Sequence, residues 1–259
     1  MEYQYIRLAV EDGFASMTID RPEAYNAVNE QVLIESAHAL DGLARDEKVR
    51  AIILGGEGKF FIAGADVKEI IDYNPVQAER YISLCHIVLK RLHRMPKPTV
   101  AAISGLALGG GLEMTLSCDI RIAADNAVFG LPEINLGILP GGGGTQLLSR
   151  IVGMGRAKEI VLLGEFFNAK TALEIGLVSK VVAESELMAQ AKKVAGKLAR
   201  KPPVALRMAK GLVSSSMDVD VANGMVAEKE AFAMLFSTHD QKEGMRAFLE
   251  GRKAQFKGE

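Results

Sequence analysis

Apolar and polar positions near-alternate along "YQYIRLAV" (3–10) and "FASMTI" (14–19), and the intervening "EDG" (11–13) has turn chemistry. An antiparallel hairpin is predicted there. The period then changes. In "NEQVLIESAHALDGLARD" (29–46) apolar residues return every three or four positions, as on one face of a helix, and Asn29 stands where an N-cap belongs. The short apolar run "VRAIILGG" (49–56) reads as a buried strand. The pattern recurs with a helix at 75–95, a strand at "PTVAAISG" (98–105) and a helix led by three glycines (109–111). Strands at "DIRIAA" (119–124) and "AVFG" (127–130) follow, then a helix after "PGGGG" (140–144). Strands joined through helical crossovers pair in parallel with right-handed connections.

Past about residue 155 the pattern becomes almost wholly helical, in "GRAKEIVLLG" (155–164), "NAKTALEIG" (168–176), "ESELMAQAKKVAGKLARK" (184–201) and three further segments. One strand, "LVSKVV" (177–182), interrupts it. Met and Phe recur at helical spacing in "MVAEKEAFAMLF" (225–236), a pattern of packing or subunit contact. There is no low-complexity linker and no repeat of solenoid period.

A chain of 259 residues, 49% hydrophobic and 24% charged, accommodates one main globular domain. Its formal net charge of −1 argues against binding nucleic acid, since Lys and Arg are interspersed with Asp and Glu and only "GRKAQFKGE" (251–259) is locally basic. Cys85 and Cys118 lie in apolar runs without C-x-x-C spacing, as free thiols of a reducing compartment do. The N-terminal segment lacks a basic region followed by an apolar one, and no apolar run reaches the ~18 residues of a membrane span. A cytoplasmic location, away from membranes, is expected.

Glycine-rich segments invite a nucleotide reading, which fails. "GGEGKF" (55–60) lacks the leading Gly and the Ser/Thr of a phosphate loop, and neither glycine cluster fits G-x-G-x-x-G. His38, His86, His93 and His239 show no metal-ligand spacing, and no G-x-S-x-G elbow surrounds Ser104. What remains is two carboxylates beside glycines. In "GLALGGGLEMTLSCD" (105–119), Glu113 follows three glycines that together cost helix stability. They mark either a helix start with free amides near an acid/base or a tight packing point. Glu133 sits in "FGLPEINLGILPGGGGTQ" (129–146), between apolar residues and ahead of four more glycines. Desolvation raises a carboxyl pKa, and two close carboxyls spread their apparent values so that one can accept a proton while the other donates.

With these residues in view, the chain resembles the enoyl-CoA hydratase/isomerase, or crotonase, family. The likeness runs through "RPEAYNA" (21–27), "GGEGKFFIAGADVKEI" (55–70), both glycine–glutamate segments, "GLVSKVV" (176–182) and "EGMRAFLEGRK" (243–253). It implies an α/β fold, a spiral of repeated ββα units forming a CoA-binding catalytic core (1–195), with a helical oligomerisation region (196–259). It implies a CoA thioester substrate whose carbonyl oxygen meets the backbone N–H groups of Ala65 and Gly110, and two catalytic glutamates, Glu113 and Glu133. The isomerases usually keep only the second glutamate, so the reaction implied is reversible hydration of a trans-2-enoyl-CoA. Neither metal nor separate cofactor is implied, CoA being part of the substrate. Ala24, Ala63, Asp66, Val67 and Lys68 become candidates for CoA contacts, and the partner implied is a second and third copy of the chain, in trimers or paired trimers.

Two departures stand out. Family members with a C-terminal Phe-x-x-Lys reach a neighbour's CoA, whereas here Phe248 is followed by Gly251, leaving Arg252 or Lys253 as replacements. Leu147 occupies a position where many relatives carry Arg, so a local salt bridge is expected to be lost. Other reactions on the same bound enolate, double-bond isomerisation or hydration of a cyclic dienoyl-CoA, and an RNA-binding role are the competing readings.

Overall fold

Residue parity along the central strands decides which of two cores each side chain enters. The computed structural model describes residues 2–259. It opens with β1 (Ile6–Glu11) and β2 (Phe14–Ile19), antiparallel with Ile6 opposite Ile19. Helix α1 (Glu30–Arg45) follows, capped by Asn29, whose side chain accepts from Val32 N–H at 2.9 Å. Next come β3 (Ala51–Gly56), one helical turn α2 (Val67–Ile70) and the long α3 (Pro75–His93). Strands β4 (Thr99–Ile103) and β5 (Leu106–Leu108) lead into α4 (Gly110–Leu116), and β6 (Ile120–Ala124) and β7 (Val128–Gly130) lead towards α5 (Gly144–Val152). The chain continues through α6 (Met154–Leu163), β8 (Phe167–Asn168), α7 (Ala169–Glu174), β9 (Lys180–Val182) and α8 (Leu187–Ala199). It ends in α9 (Pro203–Ser215), α10 (Val221–Leu235) and α11 (His239–Leu249).

Six strands form one sheet in the order β1-β2-β3-β4-β6-β9, parallel from β2 onward, and β5-β7-β8 form a second. Two central turns, β4-β5-α4 and β6-β7-α5, lay one strand in the large sheet and one in the small sheet before entering a helix. This is the ββα spiral expected from the resemblance. Ile52, Leu54, Ala101 and Ile103 face the core beneath α1 and α3. Their neighbours Ala51, Ile53, Val100 and Ala102 face a second core closed by Leu187, Ala191 and Ala195 of α8. Burial on both faces explains why these strands read as unbroken apolar runs. Helix α8 crosses residue 195 without a break.

Three elements escape the sequence reading. β5 and β8 are three and two residues long, too short to show a period, and α2 is a single turn. β1 begins at Ile6 and β9 at Lys180, each a few residues inside the apolar run that suggested it.

The "RPEAYNA" segment is held by one buried polar side chain. Asn26 sits at φ +58°, a left-handed conformation that Asn tolerates better than most residues. Its Oδ1 accepts from Arg21 N–H at 2.9 Å, and its Nδ2 donates to the carbonyls of Glu57 at 3.0 Å and Phe60 at 2.7 Å. The loop after β2 is thereby tied to the loop after β3, from which one side of the site is built. Asn26→Ala should cost about 3 kcal/mol, because it strands two carbonyls and one N–H in the interior. Urea unfolding of the variant against the parent chain measures it, and a change below about 1 kcal/mol would contradict the assigned role.

Candidate active site

A cavity of about 970 Å³ opens beside the C-terminal ends of β3 and β5. Leu33, Tyr81, Ile82, Leu89, Met114 and Ile138 give it apolar walls, and Ala65, Gly109, Gly110, Glu113 and Glu133 supply the polar atoms. Few convergent polar groups in an apolar cavity are the usual form of a small-molecule site.

The three glycines at 109–111 have three separate causes. Gly109 adopts φ 50° and ψ −124°, a backbone conformation essentially confined to glycine. A Cβ there would also stand 2.9 Å from Glu133 Oε1. At Gly111 a Cβ would lie 2.0 Å from the Ile62 carbonyl oxygen, so this glycine permits close packing of two backbones. A Cβ on Gly110, by contrast, meets nothing nearer than Ala65 N at 3.9 Å and Glu113 Oε2 at 4.0 Å. The space over Gly110 is cavity. Both readings of this cluster thus hold at different positions, a packing point at Gly111 and an open backbone at Gly110.

The loop from Phe61 to Asp66 is stretched between two partners. Ile62 bridges in parallel to Ala107, its N–H donating to Leu106 O at 2.9 Å and its carbonyl accepting from Leu108 N–H at 3.1 Å. Ala65 bridges to Val28, with Val28 N–H donating to Gly64 O at 2.8 Å and Asp66 N–H to Val28 O at 2.9 Å. In a parallel bridge of this register the flanking residues carry the bonds, so the N–H of Ala65 is turned away from Val28. Among the described residues neither Ala65 N–H nor Gly110 N–H has an acceptor. Two unused donors flank one point of the cavity.

Glu113 is 3% exposed, and its Oε1 accepts from Gly144 N–H at 2.8 Å. The second glycine cluster accordingly wraps the carboxylate: a Cβ on Gly142 would lie 2.4 Å from Glu113 Oε2 and one on Gly144 3.0 Å from Oε1. Burial pushes the Glu113 carboxyl up to about 7, with the Gly144 N–H opposing and the nearby Glu133 charge adding to the rise. Glu133 projects from a 3-10 turn (Pro132–Leu136), and burial raises its pKa too. Its Oε2 is buried with no protein partner. Consecutive positions therefore look onto the two carboxyls, 109 onto Glu133 and 110 onto Glu113.

The model of the family described as "Enoyl-CoA hydratase/isomerase" matches residues 9–259. The chain belongs to the enoyl-CoA hydratase/isomerase family. It is 45% identical to a short-chain-enoyl-CoA hydratase of Clostridium acetobutylicum over 98% of both chains, and 44% identical to a crotonyl-CoA hydratase of Syntrophomonas wolfei over 99% of both. Among solved structures, an enoyl-CoA hydratase from Bacillus anthracis superposes with a TM-score of 0.96 at 38% identity, covering 99% of this chain and all of that one.

Within this crotonase-family site the other sequence candidates fall into two groups. Ala63 and Val67 line the cavity with Ala65. Ala24, Asp66, Lys68 and Phe248 do not. Asp66 caps α2 and holds Arg21 at 2.7 Å, so its carboxylate already has two partners. Lys68 is exposed beside it, and Ala24 ends the 3-10 turn Pro22–Ala24. Phe248 is 84% exposed on α11, and Arg252 is paired with Glu243 and Glu250, both at 2.6 Å. Leu147 packs against the apolar core. Gly144, the partner of Glu113, was legible only as part of a glycine run.

The glycine geometry separates two neighbouring substitutions. Gly110→Ala should fold, with a melting temperature close to the parent, yet lose at least about tenfold in turnover because its methyl occupies the space between Ala65 N–H and Glu113. Gly111→Ala should cost more than about 3 kcal/mol of stability through the Ile62 backbone clash. Thermal unfolding and hydratase assays on both proteins check this, and equal effects on stability would refute it.

Proposed function

We propose that this enzyme is an enoyl-CoA hydratase, adding water reversibly across the 2,3 double bond of a short-chain trans-2-enoyl-CoA to give the 3-hydroxyacyl-CoA. The observation carrying this reading is the buried Glu113 and half-buried Glu133 carboxyls lining one cavity with the two free N–H groups of Ala65 and Gly110. The names of the Clostridium and Syntrophomonas relatives support the short chain.

The thioester carbonyl oxygen accepts from Ala65 and Gly110, which places the alkene between the carboxyls. Ionised Glu113 takes a proton from water as its oxygen bonds to Cβ, and the electron pair of the double bond moves to the thioester oxygen as an enolate. Protonated Glu133 gives its proton to Cα, and the carbonyl reforms. The enzyme ends with the proton on Glu113 rather than Glu133, so the total held by the pair is unchanged, and passage of that proton between them resets it. Each backbone donor of this kind is worth about 2.7–4 kcal/mol in the transition state. Ala24, Ala63, Asp66, Val67 and Lys68 belong, in this reading, to the surface that holds CoA.

A helical region that hides little of itself supports assembly. No residue of α9 or α10 is buried, and Val213, Val221, Met225 and Phe232 are more than half exposed. An apolar surface of this extent is that of a subunit contact, in keeping with a trimer or paired trimers built on residues 196–259. Among the described residues no helix is long and apolar enough to cross a membrane.

Crotonyl-CoA should lose its enoyl absorbance in the presence of the protein, with incorporation of one solvent oxygen from heavy-oxygen water. Isomerisation would incorporate none. Glu133→Gln should abolish turnover while leaving acyl-CoA binding intact, and retained turnover would remove its proton-transfer role. Since Glu113 acts ionised and its pKa is pushed up to about 7, kcat/KM for hydration should fall as pH drops through about 7. A profile flat from pH 5 to 8 would contradict that assignment. Light scattering should give a mass that is a multiple of three of the 27.9 kDa chain, and a monomer would sink the assembly reading.

A further inference from the structure

The proposed oxyanion donor Ala65 spends no backbone N–H on the loop around it, and the groups on either side of it are held by Val28. Val28 N–H and C=O hold Gly64 and Asp66 on either side of Ala65, at 2.8 and 2.9 Å. The Val28 carbonyl receives a second hydrogen bond, from Tyr81 O–H at 2.8 Å. Tyr81 is 5% exposed, projects from α3, and packs edge-on against Tyr73 with ring centroids 6.2 Å apart. Both lone pairs of the Val28 oxygen are thus occupied, one by the oxyanion loop and one by the helix across the cavity. Burial raises the phenol pKa, so the hydroxyl remains a donor throughout the working pH range. On the outer side, Arg21 Nη1 donates to Ala27 O at 3.0 Å and to Asp66 Oδ2 at 2.7 Å, clamping the same two stretches without lining the cavity.

We propose that Tyr81 is a positioning residue for catalysis: through the Val28 carbonyl it fixes where the Ala65 N–H points, and so how strongly the bound thioester carbonyl is polarised. The proposal rests on Ala65 serving as an oxyanion donor. A hydrogen bond to a developing charge is made or lost over a fraction of an ångström, because donors must lie about 2.7–3.1 Å from the oxyanion. The Ala65 methyl packs against the core but forms no directional bond that would set the angle of its N–H. The two bonds at Val28 set it instead, and a carbonyl free to swing would carry Asp66 N–H, and Ala65 with it, out of line. A tyrosine serving only as cavity wall would act through its ring alone, and its hydroxyl would be dispensable to the chemical step.

Tyr81→Phe keeps the ring and removes the donor. Its kcat for crotonyl-CoA hydration should fall about tenfold with KM within about twofold, since the lost interaction is made in the transition state. The downshift of the thioester C=O stretch on binding, read by isotope-edited vibrational spectroscopy of a carbonyl-labelled unreactive acyl-CoA, should shrink relative to the parent enzyme. Replacing Tyr81 by 4-aminophenylalanine, which retains a donor, should restore both. If Tyr81→Phe does not fold, replacement by 4-fluorophenylalanine, which fills the hydroxyl's volume without a proton to give, takes its place. Arg21→Gln, acting outside the cavity, should reduce the C=O downshift in the same sense. A parent-like kcat and downshift in the donor-less proteins, or a rise in KM alone, overturns the role of Tyr81. Absence of any downshift in the parent enzyme would instead overturn the assignment of Ala65 as oxyanion donor.

Discussion

Negative charge that develops inside an apolar cavity must be met by donors already in place, because water is not there to turn towards it. Main-chain N–H groups satisfy this condition only where two backbones come close enough to share one ligand atom and where no side chain stands between them. In the proposed mechanism the 61–66 loop and the 109–111 turn meet that requirement. Gly111 lets the first turn of α4 pack directly on Ile62, where a methyl would lie 2.0 Å from the carbonyl oxygen, and Gly110 then opens onto Ala65. Close approach at one glycine thus creates the exposed donor at the next. The parallel bridge at Val28 uses the bonding groups on each side of Ala65 and leaves its own N–H free, while the bridge at Ala107 holds Ile62 at the start of the loop.

The position of this arrangement in the fold follows from the two-core sheet. Strands β3 and β4 are covered on both faces, so their side chains are committed to packing and cannot serve chemistry. Freedom begins where the strands end, and there the chain steps into the small sheet through β5 or the bridge at Ile62. Loops at the C-terminal ends of parallel strands are the usual location of ligand sites in such sheets. Here the stepping segments are only a few residues long and hydrogen-bonded at both ends. The site gains rigidity from the same short strands that have too few residues to be visible as a period.

Much of this was legible in the sequence because it depends on local composition. The hairpin, α1 with its Asn29 cap, the buried runs of β3 and β4, and the helices after each glycine cluster all follow from spacing and turn chemistry. The pairing of Glu113 with Glu133 could be suspected from two glycine-flanked acids, but the reason for the second cluster could not. Gly144 lies 31 residues from the carboxylate it donates to, and only the fold brings them together. Tyr81 lies in the helix predicted at 75–95 with nothing to mark it, because its bond to Val28 spans 53 residues. Asp66 and Lys68 were candidates for CoA by motif position. The fold gives Asp66 two other partners, α2 and Arg21, which a linear reading has no means of finding.

The environment of Glu113 is a balance rather than simple burial. A carboxyl enclosed by Leu89, Met114 and the glycine backbone, without compensation, would stay protonated far above neutrality and be useless as a base. One N–H from Gly144 at 2.8 Å stabilises the anion, and the opposing contributions leave the carboxyl at about 7. Near neutrality the same carboxyl can, in the proposed mechanism, take a proton from water in one direction and return it in the other. Glu133 has no donor from another segment, only its own backbone N–H opposing the effect of burial, and its Oε2 has no protein partner. The asymmetry between a carboxylate held by the backbone of another segment and one with an unpartnered oxygen fits the different duties proposed for the two acids, a base towards water and a proton donor to Cα.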